Sequence, residues 1–181
     1  MANSKSNCTL QLQLALLISM ALAAAAAATT THLRFYMHDV VTAFPGSPVT
    51  AVPVVRGTTP LPIDPTTNFG DMYVIDDPLT EGPGAASPVV GRAQGFYIFA
   101  SQTELALQLC VNMVFTAGRH NGSYLVVQAR DAILDKVREL PVVGGAGMFR
   151  GVTGYGLLST QSFNVTTKNA VLQIDMYLTS V

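Results

Sequence analysis

Few side chains in this 181-residue chain are equipped for chemistry: 11 acids, 3 histidines and 2 cysteines, with no tryptophan. The most suggestive is Asp39. In the run Leu33-Arg34-Phe35-Tyr36-Met37-His38-Asp39, the apolar Leu33, Phe35 and Met37 alternate with Arg34, Tyr36 and His38. Strand side chains repeat every second residue, so Asp39 falls on the apolar face. A carboxyl group turned toward a desolvated interior keeps its proton to higher pH, which makes it a candidate general acid. The alternation fades at Val40, and the same residue also reads as a strand-end aspartate capping a turn. Both readings stay open on the sequence. Asp131 closes a later strand, and Arg138 follows shortly after it. On a surface such a pair is worth under about 1 kcal/mol. In a partly desolvated mouth the arginine would hold the carboxylate ionised or orient a phenolic oxygen. Asp76, in Asp76-Asp77-Pro78, either ends a strand or points inward to a substrate.

Other chemistries find little support. There is no Gly-x-Ser-x-Gly elbow, and Cys110 falls on the polar side of a strand with no histidine partner in view. His38, Asp39, Asp71, Asp76 and Asp77 do not follow metal-ligand spacing, so no metal is expected. The run Gly144-Gly-Ala-Gly147 is followed by Arg150 where a dinucleotide loop needs glycine. A β-bulge or tight bend explains it better.

The elements that must position these residues are strands. Leu107, Leu109, Val111, Met113 and Phe115 alternate with Gln108, Cys110, Asn112, Val114 and Thr116, and comparable alternation recurs along the chain. Eight strands are expected near 32–43, 50–57, 69–76, 90–100, 106–117, 122–130, 149–161 and 170–180, with helical flavour only over Ala132–Glu139. Turn chemistry fills most gaps, as in Pro45-Gly-Ser-Pro48 and His120-Asn-Gly-Ser123. Eight strands close most economically into an antiparallel barrel that can hold a small molecule at its axis. A sandwich is the runner-up.

The chain is 49% hydrophobic and only 12% charged, with a net charge of −1. That composition excludes a disordered chain and offers no basic stripe for nucleic acid. Residues 1–28 read as a signal peptide: a weakly cationic start, an uncharged run from Leu10 and an alanine tract ending at Ala28. The expected protein domain is 29–181, secreted and without a membrane anchor after cleavage. Export would leave Cys110 unpaired, expected mostly buried, and make the sequons at Asn121 and Asn164 usable for glycosylation.

Six ordered blocks resemble the plant dirigent protein family. They are Phe35-Tyr-Met-His-Asp39, Phe69-Gly-Asp-Met-Tyr-Val-Ile-Asp-Asp-Pro-Leu-Thr80, Val90-Gly-Arg-Ala-Gln-Gly95, Phe115-Thr-Ala-Gly-Arg-His-Asn-Gly-Ser123, Arg138-Glu-Leu-Pro-Val-Val-Gly-Gly145 and Phe149-Arg150. The resemblance implies an all-β, eight-stranded antiparallel barrel of the calycin-like, allene oxide cyclase-like group, with a central cavity. It implies a homo-oligomer, usually a trimer, secreted to the apoplast. It further implies stereoselective coupling of phenoxy radicals, such as those of coniferyl alcohol, into optically active lignans. No cofactor is expected, and the radicals would come from a separate laccase or peroxidase. Orientation is then the protein's task. The alternative is a lyase or cyclase that closes a phenolic, isoflavanol-like substrate through a quinone methide. By resemblance Asp39 and Asp131 match the family's pocket acids and Arg138 the arginine beside the second acid. Tyr97 matches a pocket tyrosine and Phe163 a lining aromatic, with Asp76 as a further expected substrate contact.

Overall fold

The computed structural model describes residues 29–180, so the expected signal peptide lies outside the described residues. Eleven strands account for nearly all regular structure. β1 spans Thr29–Asp39, β2 Ala51–Val55, β3 Thr59–Pro60, β4 Asn68–Phe69, β5 Met72–Thr80 and β6 Val89–Phe99. β7 spans Ala106–Phe115, β8 Tyr124–Ala132, β9 Arg138–Ala146, β10 Thr153–Phe163 and β11 Ala170–Ser180.

The strands pair in the order β1-β11-β10-β9-β8-β7-β6-β5, and β5 pairs back onto β1. That closes an eight-stranded antiparallel barrel and removes its free edges. The closing seam is short: Tyr36 pairs with Thr80 and Met37 with Leu79. Beyond it β2 takes over, pairing Ala51 with Ile75 and Val52 with Val74 on β5.

The number of barrel strands matches the sequence reading, but their membership differs by one. The segment expected as a barrel strand at 50–57 is the short β2, which lies against β5 and outside the ring. The stretch read as helical, Ala132–Glu139, is instead the last residue of β8, a turn over 133–137 and the first two residues of β9. β9 was absent from the expected set because Pro141, Gly144 and Gly145 are poor strand formers and Arg138 occupies an inward position. The glycine run does carry the expected irregularity: the β8–β9 register slips between Val126 and Val127. Gly147 follows with φ +66, and a Cβ there would strike Ser123, so glycine is required.

Period-2 alternation fills the interior. Leu107, Leu109, Val111, Met113 and Phe115 of β7 are buried, as are Leu125, Val127 and Ala129 of β8 and Leu172, Ile174, Met176 and Leu178 of β11. Each fully buried aliphatic contributes about 1.5–3 kcal/mol from burial. Aromatic rings plug one end: Phe115 packs edge-on to Phe35 and against Phe149, and His120 stacks on Phe149 with centroids 5.0 Å apart. Cys110, expected mostly buried, is a free thiol on the outer wall and only half-buried. Asn121 and Asn164 are both exposed in turns.

A candidate active site at one end of the barrel

Neighbouring barrel strands are antiparallel, so strands an even number of steps apart run in the same direction. β8 is reached from β1 through β11, β10 and β9 one way, and through β5, β6 and β7 the other. It is therefore the strand diametrically opposite β1 and runs parallel to it. Asp39 is the last residue of β1 and Asp131 the last but one of β8. The two acids thus project from opposite walls at the same end, away from the aromatic plug. Tyr97 and Phe163, near the C-terminal ends of β6 and β10, join that end by the same rule.

Asp39 resolves in favour of the interior reading. The residue is half-buried, but its Oδ1 is wholly buried and has no hydrogen-bond partner. Extending the β1–β5 register by two residues sets it opposite Asp77, which is fully buried. Burial raises the Asp39 pKa well above the ordinary carboxylate range, with the neighbouring Tyr97 hydroxyl opposing the shift. Burial does the same to Asp77, and the charge of Asp39 adds to it. Ionising one of two neighbouring buried carboxyl groups makes ionising the other harder, so the pair holds a proton to higher pH than an ordinary carboxyl does. Tyr97, 7% exposed, is held protonated by its burial and by the Asp39 charge. It is a neutral hydroxyl donor beside the acid pair.

Asp77, and not Asp76, is the inward residue. Asp76 lies on the outer wall, where Arg92 Nε donates to its Oδ1 at 2.5 Å and Gln94 at 3.1 Å. The expected substrate contact at Asp76 is corrected accordingly: strand alternation turns it away from the interior. The signal was present in the sequence, since Ile75, Asp77 and Leu79 share one face. Asp71 is also buried, but its carboxylate accepts the Gly57 and Asn68 amide protons and is structural. Among the described residues, no group of three or more His, Cys, Asp and Glu side chains converges as a metal site.

The opposite wall carries an ion pair. Extending the β8–β9 register sets Arg138 across from Asp131, and Arg138 Nε lies 2.9 Å from Asp131 Oδ1 with both side chains at most 5% exposed. Burial raises the Asp131 pKa and Arg138 opposes that shift. Arg138 Nη1 is further anchored by donating to the Ile133 and Asp135 carbonyls and to Thr160 Oγ1 at 2.8 Å. This web fixes the guanidinium and turns a residue that sequence left between surface and mouth into a buried fixture.

Phe163 stands at the rim, 51% exposed. It lines a cleft of about 720 Å³ together with Asp39, His38, Phe44, Thr50 and Arg92. That volume suits a small organic ligand. Asp39 is the one member of the acid constellation in its lining; Asp77, Tyr97, Asp131 and Arg138 lie outside it.

The raised pair predicts a pH effect on stability. A carboxyl whose pKa is higher in the folded state contributes stability that is full below its unfolded pKa and is lost as pH rises through the folded pKa. The pair should therefore weaken the fold from about pH 4 upward through the neutral range. Asp77→Asn, which keeps the Thr50 contact and removes one charge, should gain on the order of 2 kcal/mol relative to wild type at pH 8 over its difference at pH 4. Urea midpoints at the two pH values test it, and parallel pH dependence in both proteins would refute it.

Comparison with known proteins agrees with this architecture. The Dirigent-like protein family model matches residues 30–179. Dirigent protein 21 of Arabidopsis thaliana is 43% identical over 148 residues, 82% of this chain and 76% of that protein. Pterocarpan synthase 1 of Glycyrrhiza echinata is 40% identical over 150 residues, 82% of this chain and 77% of that protein. A solved pterocarpan synthase dirigent protein superposes with a TM-score of 0.76 at 37% identity, covering 84% of this chain and 90% of that one. Sequence blocks, barrel closure and relatives agree: this chain belongs to the dirigent family.

Proposed function

We propose that the protein closes a ring in a phenolic, isoflavanol-like substrate through a quinone methide. The observation that carries this reading is the placement of the Asp39 carboxyl, with buried Asp77 and Tyr97 beside it, across the barrel from the buried Asp131–Arg138 ion pair. The similarity to pterocarpan synthases supports the same class of reaction.

In this reading Asp39 donates its proton to the leaving hydroxyl, the C–O bond breaks and water departs. The carboxylate of Asp131 takes the phenolic proton as the quinone methide forms, and Arg138 stabilises charge on that oxygen. A second phenolic hydroxyl then attacks the exocyclic carbon. Its proton returns to Asp39, and Asp131 returns its proton to the quinone methide oxygen. The net change is loss of one water, with both acids restored.

A second reading is the stereoselective coupling of phenoxy radicals to lignans, with a separate laccase or peroxidase as the radical source. Similarity to dirigent proteins 21 and 1 of Arabidopsis thaliana, each 43% identical, favours it. There the same acid would protonate the quinone methides that coupling leaves behind.

One pair of assays separates the two. Purified protein with an isoflavanol and no oxidant is expected to give the dehydrated, ring-closed product. Inertness there, together with an enantiomeric excess from coniferyl alcohol and laccase only when the protein is present, would reverse the order. We also propose secretion to the apoplast as a homo-oligomer, with residues 1–28 removed. N-terminal sequencing of exported protein should find a start between about residues 23 and 31, and a start at Met1 would overturn this.

A further inference from the structure

We infer that His38 is a specificity-determining residue of the cleft, whose ring Nδ1 accepts the hydroxyl proton of a phenolic ligand. The choice of a phenol rests on the ring-closing function proposed above; the acceptor itself follows from the hydrogen-bond geometry.

His38 precedes Asp39 on β1, so alternation turns the two side chains to opposite faces, yet both line the cleft at the end of the strand. The half-buried imidazole is held at one nitrogen: Nε2 lies 2.8 Å from Thr80 Oγ1. That oxygen is also 2.7 Å from the Gly82 carbonyl oxygen and 3.4 Å from the Tyr36 carbonyl oxygen. Two oxygens at 2.7 Å need a proton between them, and a carbonyl carries none, so the Thr80 hydroxyl gives its single proton to Gly82. Thr80 then has only lone pairs to offer His38, and Nε2 must carry a hydrogen and donate it. Burial lowers the His38 pKa, which favours the neutral ring above pH 7. A neutral imidazole protonated on Nε2 bears a lone pair on Nδ1.

That lone pair is unspent. Among the described residues His38 bonds only through Nε2, and its Nδ1 is not one of the wholly buried atoms left without a partner, so it stays open from outside. Of the three histidines, His38 alone lines the cleft. The amide side chains of the lining are committed to their own loops: Asn164 Oδ1 accepts the Thr166 and Thr167 amide protons, and Asn169 Oδ1 those of Val41 and Thr42. Arg92 can only donate, and it is paired with Asp76. Exposed Phe44 and Phe163 line the same cleft and offer apolar faces to an aryl ring. A phenol presents such a ring together with a hydroxyl more acidic than an alcohol's, and its methyl ether presents the ring alone.

The test uses ¹⁵N-histidine-labelled protein, with the His38 signals assigned by their loss in His38→Phe. At about pH 8 the free protein should show the His38 proton on Nε2 and a pyridine-type Nδ1. Para-ethylphenol should shift that Nδ1 signal upfield, and para-ethylanisole should not. The phenol should also bind roughly 3–10-fold more tightly than the ether. In His38→Gln, which keeps an N–H for Thr80 and has no Nδ1, the two should bind within about twofold of each other. A proton on Nδ1 in the free protein would overturn the inference. So would equal binding of the two probes by wild type, or an Nδ1 signal that the phenol leaves in place at its solubility limit. Neither probe turns over. A protein that engages the phenol through Nδ1 but leaves an isoflavanol unchanged keeps His38 as the acceptor and loses the ring-closing function, and ring closure with an unmoved Nδ1 does the reverse.

Discussion

Asp39→Asn should leave the barrel folded and the cleft able to bind a phenolic ligand, while product formation falls by on the order of 10²-fold or more. The substitution keeps size and hydrogen-bonding capacity and removes only the transferable proton. Its target is well placed for that role: a buried oxygen without a partner, a pKa raised by burial and a position on the cleft wall. Asp77 is not expected to take over, because it is fully buried and does not line the cleft. Circular dichroism and ligand binding should match wild type, and the initial rate or enantiomeric excess should not. Full activity with full stereoselectivity in Asp39→Asn would return Asp39 to the role of a strand-end residue.

The largest stability effect is expected at Arg138. Replacing it with Met leaves Asp131 buried and unpaired and takes the donor away from the Ile133 and Asp135 carbonyls and from Thr160. Breaking a buried pair on one side costs about 3–5 kcal/mol, far more than an exposed pair is worth. The loss should ease at low pH, because Asp131 can then be protonated and no longer needs a counter-charge. The double variant Asp131→Leu, Arg138→Met should recover much of the loss, since it removes the stranded charge as well as its partner. Denaturant unfolding of the wild type and the two variants at pH 4 and pH 7 tests this. A single variant within about 1 kcal/mol of wild type would show that the pair behaves as a surface contact.

Much of this molecule was legible in its sequence, and the errors have physical causes. Alternation located β7, β8 and β11 within a few residues, because each presents an unbroken apolar face to the interior. β9 escaped because its inward residues begin with Arg138 and its end is glycine-rich, so hydrophobicity carried no period there. The same buried arginine that hid the strand is one of the fixtures of the site. β2 looked like a barrel strand because Val52, Val54 and Val55 have strand propensity, but propensity does not report on which side a strand finds a partner. Asp39 was reachable from local alternation. Its partner Asp77 was missed by one residue, and a one-residue slip exchanges the two faces of a strand. Tyr97 and Phe163 came from family resemblance alone. The Thr50–Asp77 hydrogen bond could not have been found in advance, because it spans 27 positions and depends on a loop passing the seam.

That seam has a consequence for how the molecule opens. The barrel closes on two residue pairs between β1 and β5, whereas β5 and β6 are paired from Met72–Ile98 to Thr80–Val89. Local unfolding starts where few backbone bonds must break together, so amide exchange at Met37 and Leu79 should be among the fastest within the barrel ring. The two acids meet just past that zipper's last tooth. Water admitted by a transient opening would hydrate both carboxyls and let both ionise, and their mutual repulsion would then slow reclosure. A proton held there thus also serves as a rivet: in acid it keeps the joint shut, and as pH rises the barrel is expected to breathe first beside the candidate site.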